Sequence, residues 1–372
     1  MAAAGIVCEF NPFHEGHRYL IEQTRKAGAE RIVCVMSGNF VQRGVPAVKD
    51  KFERAADAVK GGADLVLELP SVYAVNSADF FARGAVRILN RLGCVDMISF
   101  GSECGDLDLL EKCSEQMLAE DEAFSGALKK HLADGLSYPQ AYSKAASGNY
   151  SEECSRLLAN PNDTLALCYL REIKRQGTEI KGFTVKRTFP YSGSAIRKDI
   201  AADPDRISFE DRLFAVVRSA VLSSPSKEIA DVCEVSEGLE NRVVTAISKA
   251  QDLEGFVKAV KSSRYTYAKV SRILMQLLLG ITKDTVREAE LAETAYAKVL
   301  ALNGTGAGIL RDASAEGNIS IISNINKTQL TDASENRLLG IDIKSSDLYS
   351  ILCGREIYEF SDRVRIPIIM KI

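Results

Sequence analysis

The first 105 residues alternate apolar, β-branched runs with amphipathic helical stretches, and this alternation constrains the fold more than any other feature of the chain. Residues 6–10, 31–37, 64–69 and 97–100 are expected as buried strands, while residues 52–61 and 78–92 carry helical spacing between them. Strands separated by helices imply parallel pairing with crossover connections, and hence a doubly wound α/β sheet. Ligands of such sheets lie beyond the carboxyl ends of the strands. Residues 11–17, 37–44 and 101–103 all follow strands and are therefore expected to converge on one crevice.

The remainder reads as mainly helical. Residues 107–175 suggest helices broken at Gly126, Gly135, Pro139 and Gly148, followed by a strand over 182–186. After about residue 205 helices dominate, and a tail with strands near 296–302 and 319–322, joined by a glycine linker at 304–308, suggests a small α/β appendage. Two units are expected: an N-terminal parallel-sheet domain over 1–205 and a mainly helical region over 206–372. With 372 residues, 46% of them hydrophobic, the chain can bury substantial cores. No apolar stretch approaches the roughly 20 residues that span a bilayer, and no basic segment precedes the first strand, so a cytoplasmic protein without membrane attachment is expected. Nine cysteines without a Cys-x-x-Cys pair suit free thiols in a reducing compartment. The net charge of −3 does not exclude a basic face, because steering depends on where charges sit.

Two of the three histidines, His14 and His17, stand three residues apart where the first strand feeds a helix. A helix start aims unpaired N–H groups and the positive end of the helix dipole at one point, and Gly16 permits close approach. Imidazoles one turn apart can then donate to phosphate oxygens whose charge grows during nucleotidyl transfer. A zinc site is the competing reading. The metalloprotease pattern needs histidines four apart, and His131 has no companions, so no metal site is assigned. Farther along, Ser192 and Ser194, backed by Arg197 and Lys198, form a second anion cradle at a helix start. Asn160-Pro161-Asn162-Asp163 reads as a turn and helix cap. In the C-terminal part, Lys258, Lys261, Arg264, Tyr265, Lys269 and Arg272 offer cations and a stacking ring to RNA. In this reading Lys269, Arg272 and Gln276 lie off the apolar stripe of Val270, Ile273, Leu274, Leu277 and Leu278.

His14-Glu15-Gly16-His17 resembles the His-x-Gly-His signature of the nucleotidyltransferase superfamily. Together with residues 35–44, 68–70, 77–85, 100–103 and 194–197, the chain resembles the bacterial tRNA(Met) cytidine acetate ligase family along most of its length. That resemblance implies an ATP site along Val7-Cys8-Glu9-Phe10-Asn11-Pro12-Phe13-His14-Glu15-Gly16-His17-Arg18-Tyr19-Leu20, with Gly101, Asn162, Arg187, Ser192, Ser194 and Arg197, and His14 and His17 as the catalytic pair. The segment between Arg187 and Ser192 is shorter than the family pattern. It further implies ATP with substrate-bound Mg²⁺ and no permanent cofactor, activation of acetate to acetyl-adenylate, and transfer to the wobble cytidine of elongator tRNA(Met), with an RNA-facing surface around Arg264 and Tyr265. Three alternatives stay open at this point: an acetate-activating ligase resembling citrate lyase ligases, a cofactor adenylyltransferase, and a nucleotide-binding RNA module without turnover.

Overall fold

A computed structural model describes residues 2–119, 121–188, 204–236, 238–262, 264–292, 296–328, 330 and 332–371. Its centre is a mostly parallel sheet of β1 (Ala3–Cys8), β2 (Arg31–Ser37), β5 (Leu65–Leu69), β6 (Met97–Ser102), β7 (Lys181–Lys186) and β8 (Tyr296–Leu302), with β9 (Ser320–Ile322) and β10 (Ile368–Ile369) on the edge of β8. The strand order is β10-β8-β5-β2-β1-β6-β7, and only the β5–β8 pairing is antiparallel. Between β2 and β6, strand β1 marks the point where the winding reverses, which is where an open α/β sheet presents its crevice. Two short strands, β3 (Phe40–Val41) and β4 (Val45–Pro46), make a separate hairpin after β2.

Every residue of β2 except Arg31, and all of β5, is buried, as expected of strands covered on both faces. One face packs Ile6, Ile32, Cys34, Met36 and Val66 against the helices Glu15–Lys26 and Lys51–Lys60, using Ile21, Phe52, Ala55 and Val59. On the other face Val33, Val35, Leu65 and Leu67 share a core with Phe81, Ala85 and Leu89 of helix Ala78–Arg91. That second core runs on into the C-terminal helices through Ile273 and Leu274. Polar ties reinforce it: the Tyr73 hydroxyl donates to the Ala289 carbonyl at 2.8 Å, and the Gln276 amide to the Val75 carbonyl at 2.9 Å. The stretches before and after residue 205 therefore share one core in space.

Several local expectations are corrected. The first strand starts earlier and ends at Cys8, because Phe10 adopts φ 44°, a left-handed conformation that no strand continues through. Residues 296–302 join the central sheet rather than a separate appendage: Glu68 lies in register with Lys298, and the two charges pair. The glycines at 304–308 open a helix, Gly304–Glu316, capped by Asn303, whose side chain accepts the Gly306 N–H at 2.9 Å. A Cβ at Gly306 would sit 2.1 Å from the Asp64 carbonyl oxygen, so this glycine serves close packing, not a linker. Gly126 and Gly148 lie inside the helices Asp121–Ala133 and Tyr138–Asn149, and Pro139 occupies a first helical turn; of the expected breaks, Gly135 alone, at φ 87°, ends a helix. Gln276 lies off the apolar stripe as expected but is fully buried, because its helix is covered on more than one side and the Gln276 amide faces Val75. No described helix is long and apolar enough to cross a membrane.

Candidate active site

The crevice forms at the carboxyl ends of β1, β6 and β7, walled by the start of helix Glu15–Lys26 and by one face of helix Pro161–Arg175. Its floor carries Ile6, Val7, Cys8 and Phe100. Its rim carries Asn162, Lys186 and Arg187.

His14 is the N-cap of its helix. Its Nδ1 accepts the Gly16 N–H at 3.1 Å, and the Nδ1 of His17 accepts the His14 N–H at 3.3 Å, a reciprocal capping box made of two imidazoles. Gly16 suits this close fit, since a Cβ there would lie 3.0 Å from His14 Cε1 and push the ring aside. With Nδ1 accepting on both rings, each neutral imidazole carries its proton on Nε2, and the pair presents two N–H donors. The rings stack at a centroid distance of 3.7 Å, and His17 also packs on Phe10 at 4.8 Å. Burial, helped by His14 and the Arg187 cation, lowers the His17 pKa to about 3, so this imidazole is neutral at physiological pH. Neutral donors that need no proton uptake are suited to charge that develops on a phosphate oxygen during reaction.

The opposite rim is built by Glu103, just past β6. Its carboxylate accepts the backbone N–H of Asp163 at 2.8 Å and the Asn162 side-chain amide at 2.5 Å, while Asp163 returns the favour by accepting the Glu103 N–H at 2.8 Å. Asn162 is thereby fixed, and its carbonyl oxygen accepts from Arg187 Nη1 at 3.0 Å. Arg187, whose stem runs over Gly101, brings a permanent cation to the crevice that also holds the histidines. Arg187→Ala is expected to weaken ATP binding roughly 10- to 100-fold, the scale of a lost charge-assisted hydrogen bond. Calorimetric titration with ATP checks this; an unchanged dissociation constant would remove Arg187 from the nucleotide site.

Of the residues expected at the nucleotide, Val7, Cys8, Glu9, Phe10, Asn11, His14, Gly16, His17, Tyr19, Leu20, Gly101, Asn162 and Arg187 line the crevice together. Pro12, Phe13, Glu15 and Arg18 do not: Phe13 packs against Gly61 and Phe10, and Glu15 pairs with Arg18. Ser192, Ser194 and Arg197 lie outside the described residues. Sequence reasoning missed Leu165 and Tyr169, although their spacing from Asn162, three and seven residues along a helix, puts all three on one face. Among the described residues no group of three His, Cys, Asp or Glu side chains is arranged to hold a metal ion.

The cations expected to face RNA fare unequally. Tyr265 is buried, its hydroxyl donating to the Ser236 carbonyl at 2.7 Å, which corrects its assignment as a base-stacking ring. Arg272 is held by Glu234 through two contacts of 2.7 Å, so its charge is neutralised. Lys269 lies 4.9 Å over the Tyr265 ring, Arg264 is half-buried, Lys258 is exposed beside Glu254, and Lys261 is exposed.

A parallel sheet with a switch point beside β1, and an imidazole pair at the helix start there, defines a nucleotidyltransferase of the His-x-Gly-His type. The HIGH Nucleotidyl Transferase family matches residues 1–203 and 189–362. A tRNA(Met) cytidine acetate ligase of Clostridium perfringens is 35% identical over 391 residues, covering 95% of this chain and 96% of the relative. One from Acetivibrio thermocellus is 35% identical over 397 residues, covering 95% of each. The crystal structure of Thermotoga maritima TmcAL bound with alpha-thio ATP superposes with a TM-score of 0.89 at 27% identity over the whole of both chains. This chain belongs to the tRNA(Met) cytidine acetate ligase family.

Proposed function

We propose that this protein uses ATP to activate acetate as acetyl-adenylate and then acetylates the wobble cytidine of elongator tRNA(Met). The observation that carries the reading is the imidazole pair lining the switch-point crevice, with each Nδ1 accepting a backbone N–H, in a chain that matches acetate ligases over nearly all of its length. ATP enters as its magnesium complex, with its α-phosphate at His14 and His17 and Arg187 beside it. Ser192, Ser194 and Arg197 are the residues this reading assigns to the departing pyrophosphate. Acetate attacks in line, and the two imidazoles stabilise the crowded phosphorus; positioning and charge neutralisation supply most of the catalysis. The exocyclic amine of cytidine then displaces AMP from the acetyl carbon. Incubation with ATP, labelled acetate and total tRNA, followed by nucleoside analysis, tests the whole sequence. N-acetylcytidine in elongator tRNA(Met) is the expected product, and label left in acetyl-adenylate with none in tRNA would point to another acceptor.

The 206–372 region, in this reading, carries the tRNA. With Arg272 neutralised by a largely buried Glu234 and Tyr265 buried, the cations this reading assigns to RNA are Lys261, Lys269, Arg264 and Lys258, whose pairing with Glu254 is solvent-exposed and therefore weak. Replacing Lys258 and Lys261 with alanine is expected to reduce the slope of log affinity against log salt by about 1 to 2, without altering ATP binding. Filter binding over a salt series measures it, and an unaltered slope would assign the anticodon arm to another face.

A further inference from the structure

Acyl transfer to an aromatic amine needs a proton acceptor, because the nitrogen that attacks must shed a proton as the new bond forms. The crevice is rich in donors and poor in acceptors. Both imidazoles use Nδ1 to accept backbone N–H groups and carry their proton on Nε2, so in this arrangement neither turns an acceptor lone pair to the crevice. Lys186 and Arg187 are cations. Burial holds the Cys8 thiol and the Tyr169 hydroxyl well above their ordinary pKa values, and both stay protonated. Among the described residues that line the crevice, Glu9 is the one carboxylate; Glu103 stands behind Asn162, with its two oxygens accepting the Asn162 amide and the Asp163 N–H.

Glu9 is also held in place. One carboxylate oxygen accepts the Gln42 N–H at 2.8 Å, and its backbone carbonyl accepts from the buried Arg54 guanidinium, which also binds the Ser37, Gly38 and Lys49 carbonyls. The next residue, Phe10, is a buried aromatic in the left-handed region, a costly conformation for a side chain with a Cβ. Strain of this kind persists where surrounding contacts fix a functional geometry. Phe10 packs on His17, so the carboxylate and the imidazole pair belong to one rigid turn.

We propose that Glu9 is the general base of the acetyl-transfer step. The amine nitrogen of cytidine attacks the acetyl carbon and forms the C–N bond. The bond between that carbon and the phosphate oxygen of the adenylate breaks, AMP leaves with the electron pair, and the amine proton passes to the Glu9 carboxylate. This rests on the acetyl-transfer reading of the site.

Glu9→Gln keeps an acceptor for the Gln42 N–H but removes the base. The full-length variant is compared with the unmodified protein in two assays: acetate-dependent exchange of labelled pyrophosphate into ATP, and single-turnover transfer from enzyme-bound acetyl-adenylate to tRNA. Transfer is expected to fall at least 100-fold more than exchange, within the range of about 10² to 10⁴ for a lost general base. The unmodified protein is expected to transfer faster as pH rises through the titration of its base, and the glutamine variant to lose that rise. Equal losses in both assays, or transfer at the unmodified rate, would overturn the assignment. Should the glutamine variant fail to bind ATP, Glu9→Asp replaces it: transfer slowed more than exchange supports the proposal, and equal slowing refutes it. Unmodified protein that shows no acetate-dependent exchange would defeat the acetate reading itself, whatever Glu9 does.

Discussion

Replacing His14 or His17 with alanine is expected to raise the barrier to acetyl-adenylate formation by about 2 to 4 kcal/mol, a slowing of roughly 30- to 900-fold. Each variant deletes one preorganised Nε2–H donor from a site where its tautomer is set by a backbone N–H rather than by solvent. The loss should fall mainly on kcat, with a smaller change in the KM for ATP, because the donors act on charge that develops in the transition state. The two variants should differ in stability. His14→Ala removes a helix cap, worth about 1 kcal/mol, whereas His17→Ala also removes the ring that packs between Phe10 and Phe13. Pyrophosphate release with ATP and acetate reads the effect, and unmodified rates in both variants would refute the roles given to the pair. With the His17 pKa lowered to about 3, His17 should contribute no limb near pH 6.5 to the first half-reaction.

Lys51→Met is expected to destabilise the fold by about 3 to 5 kcal/mol, the scale of breaking a fully buried ion pair. Lys51 and Glu68 are completely buried, with Nζ–Oε1 at 2.7 Å, and Lys51 also binds Asp362 at 2.6 Å. Lys298 faces the same two carboxylates, so two cations and two anions close a neutral square deep in the protein. It ties the start of helix Lys51–Lys60, the carboxyl end of β5, the β8 strand and the chain near its C-terminal end. Burial alone would lower the Lys51 pKa, but Asp362 and Glu68 overcome it and raise it above the usual lysine value. For Asp362, burial would raise the pKa, yet Lys298 and Lys51 bring it down to about 2. A carboxylate depressed in the folded state contributes stability that is present above its unfolded pKa of about 3.9 and lost as pH falls toward 2. Urea unfolding at neutral pH should show the loss in Lys51→Met, and the double change Lys51→Met with Glu68→Met should recover part of it, since a matched apolar pair leaves no orphan charge. A single variant as stable as the unmodified chain would show that the square is incidental.

The strand–helix alternation was legible because both faces of the sheet are covered, which writes each strand as a continuous apolar run. His14 and His17 were legible because a strand-to-helix turn is local, so three residues of spacing sufficed. What sequence alone missed depends on contacts between distant segments. The glycines at 304–308 look like a linker until Asp64 is placed against Gly306, and Tyr296 to Leu302 looks like part of an appendage until Glu68 is seen opposite Lys298. Arg272 and Tyr265 read as an RNA-facing pair because Glu234 and Ser236, which occupy them, lie about 30 to 40 positions upstream. Leu165 and Tyr169 carried a readable helical spacing, but nothing local marks that face as part of a nucleotide crevice.

The most direct test is acetate-dependent exchange of labelled pyrophosphate into ATP by the protein alone, without tRNA. Exchange that requires acetate and is slowed roughly 30-fold or more in the His14 and His17 variants is the expected result. Exchange that ignores acetate, or that begins only with a phosphorylated acceptor, would contradict acetate activation at the imidazole pair.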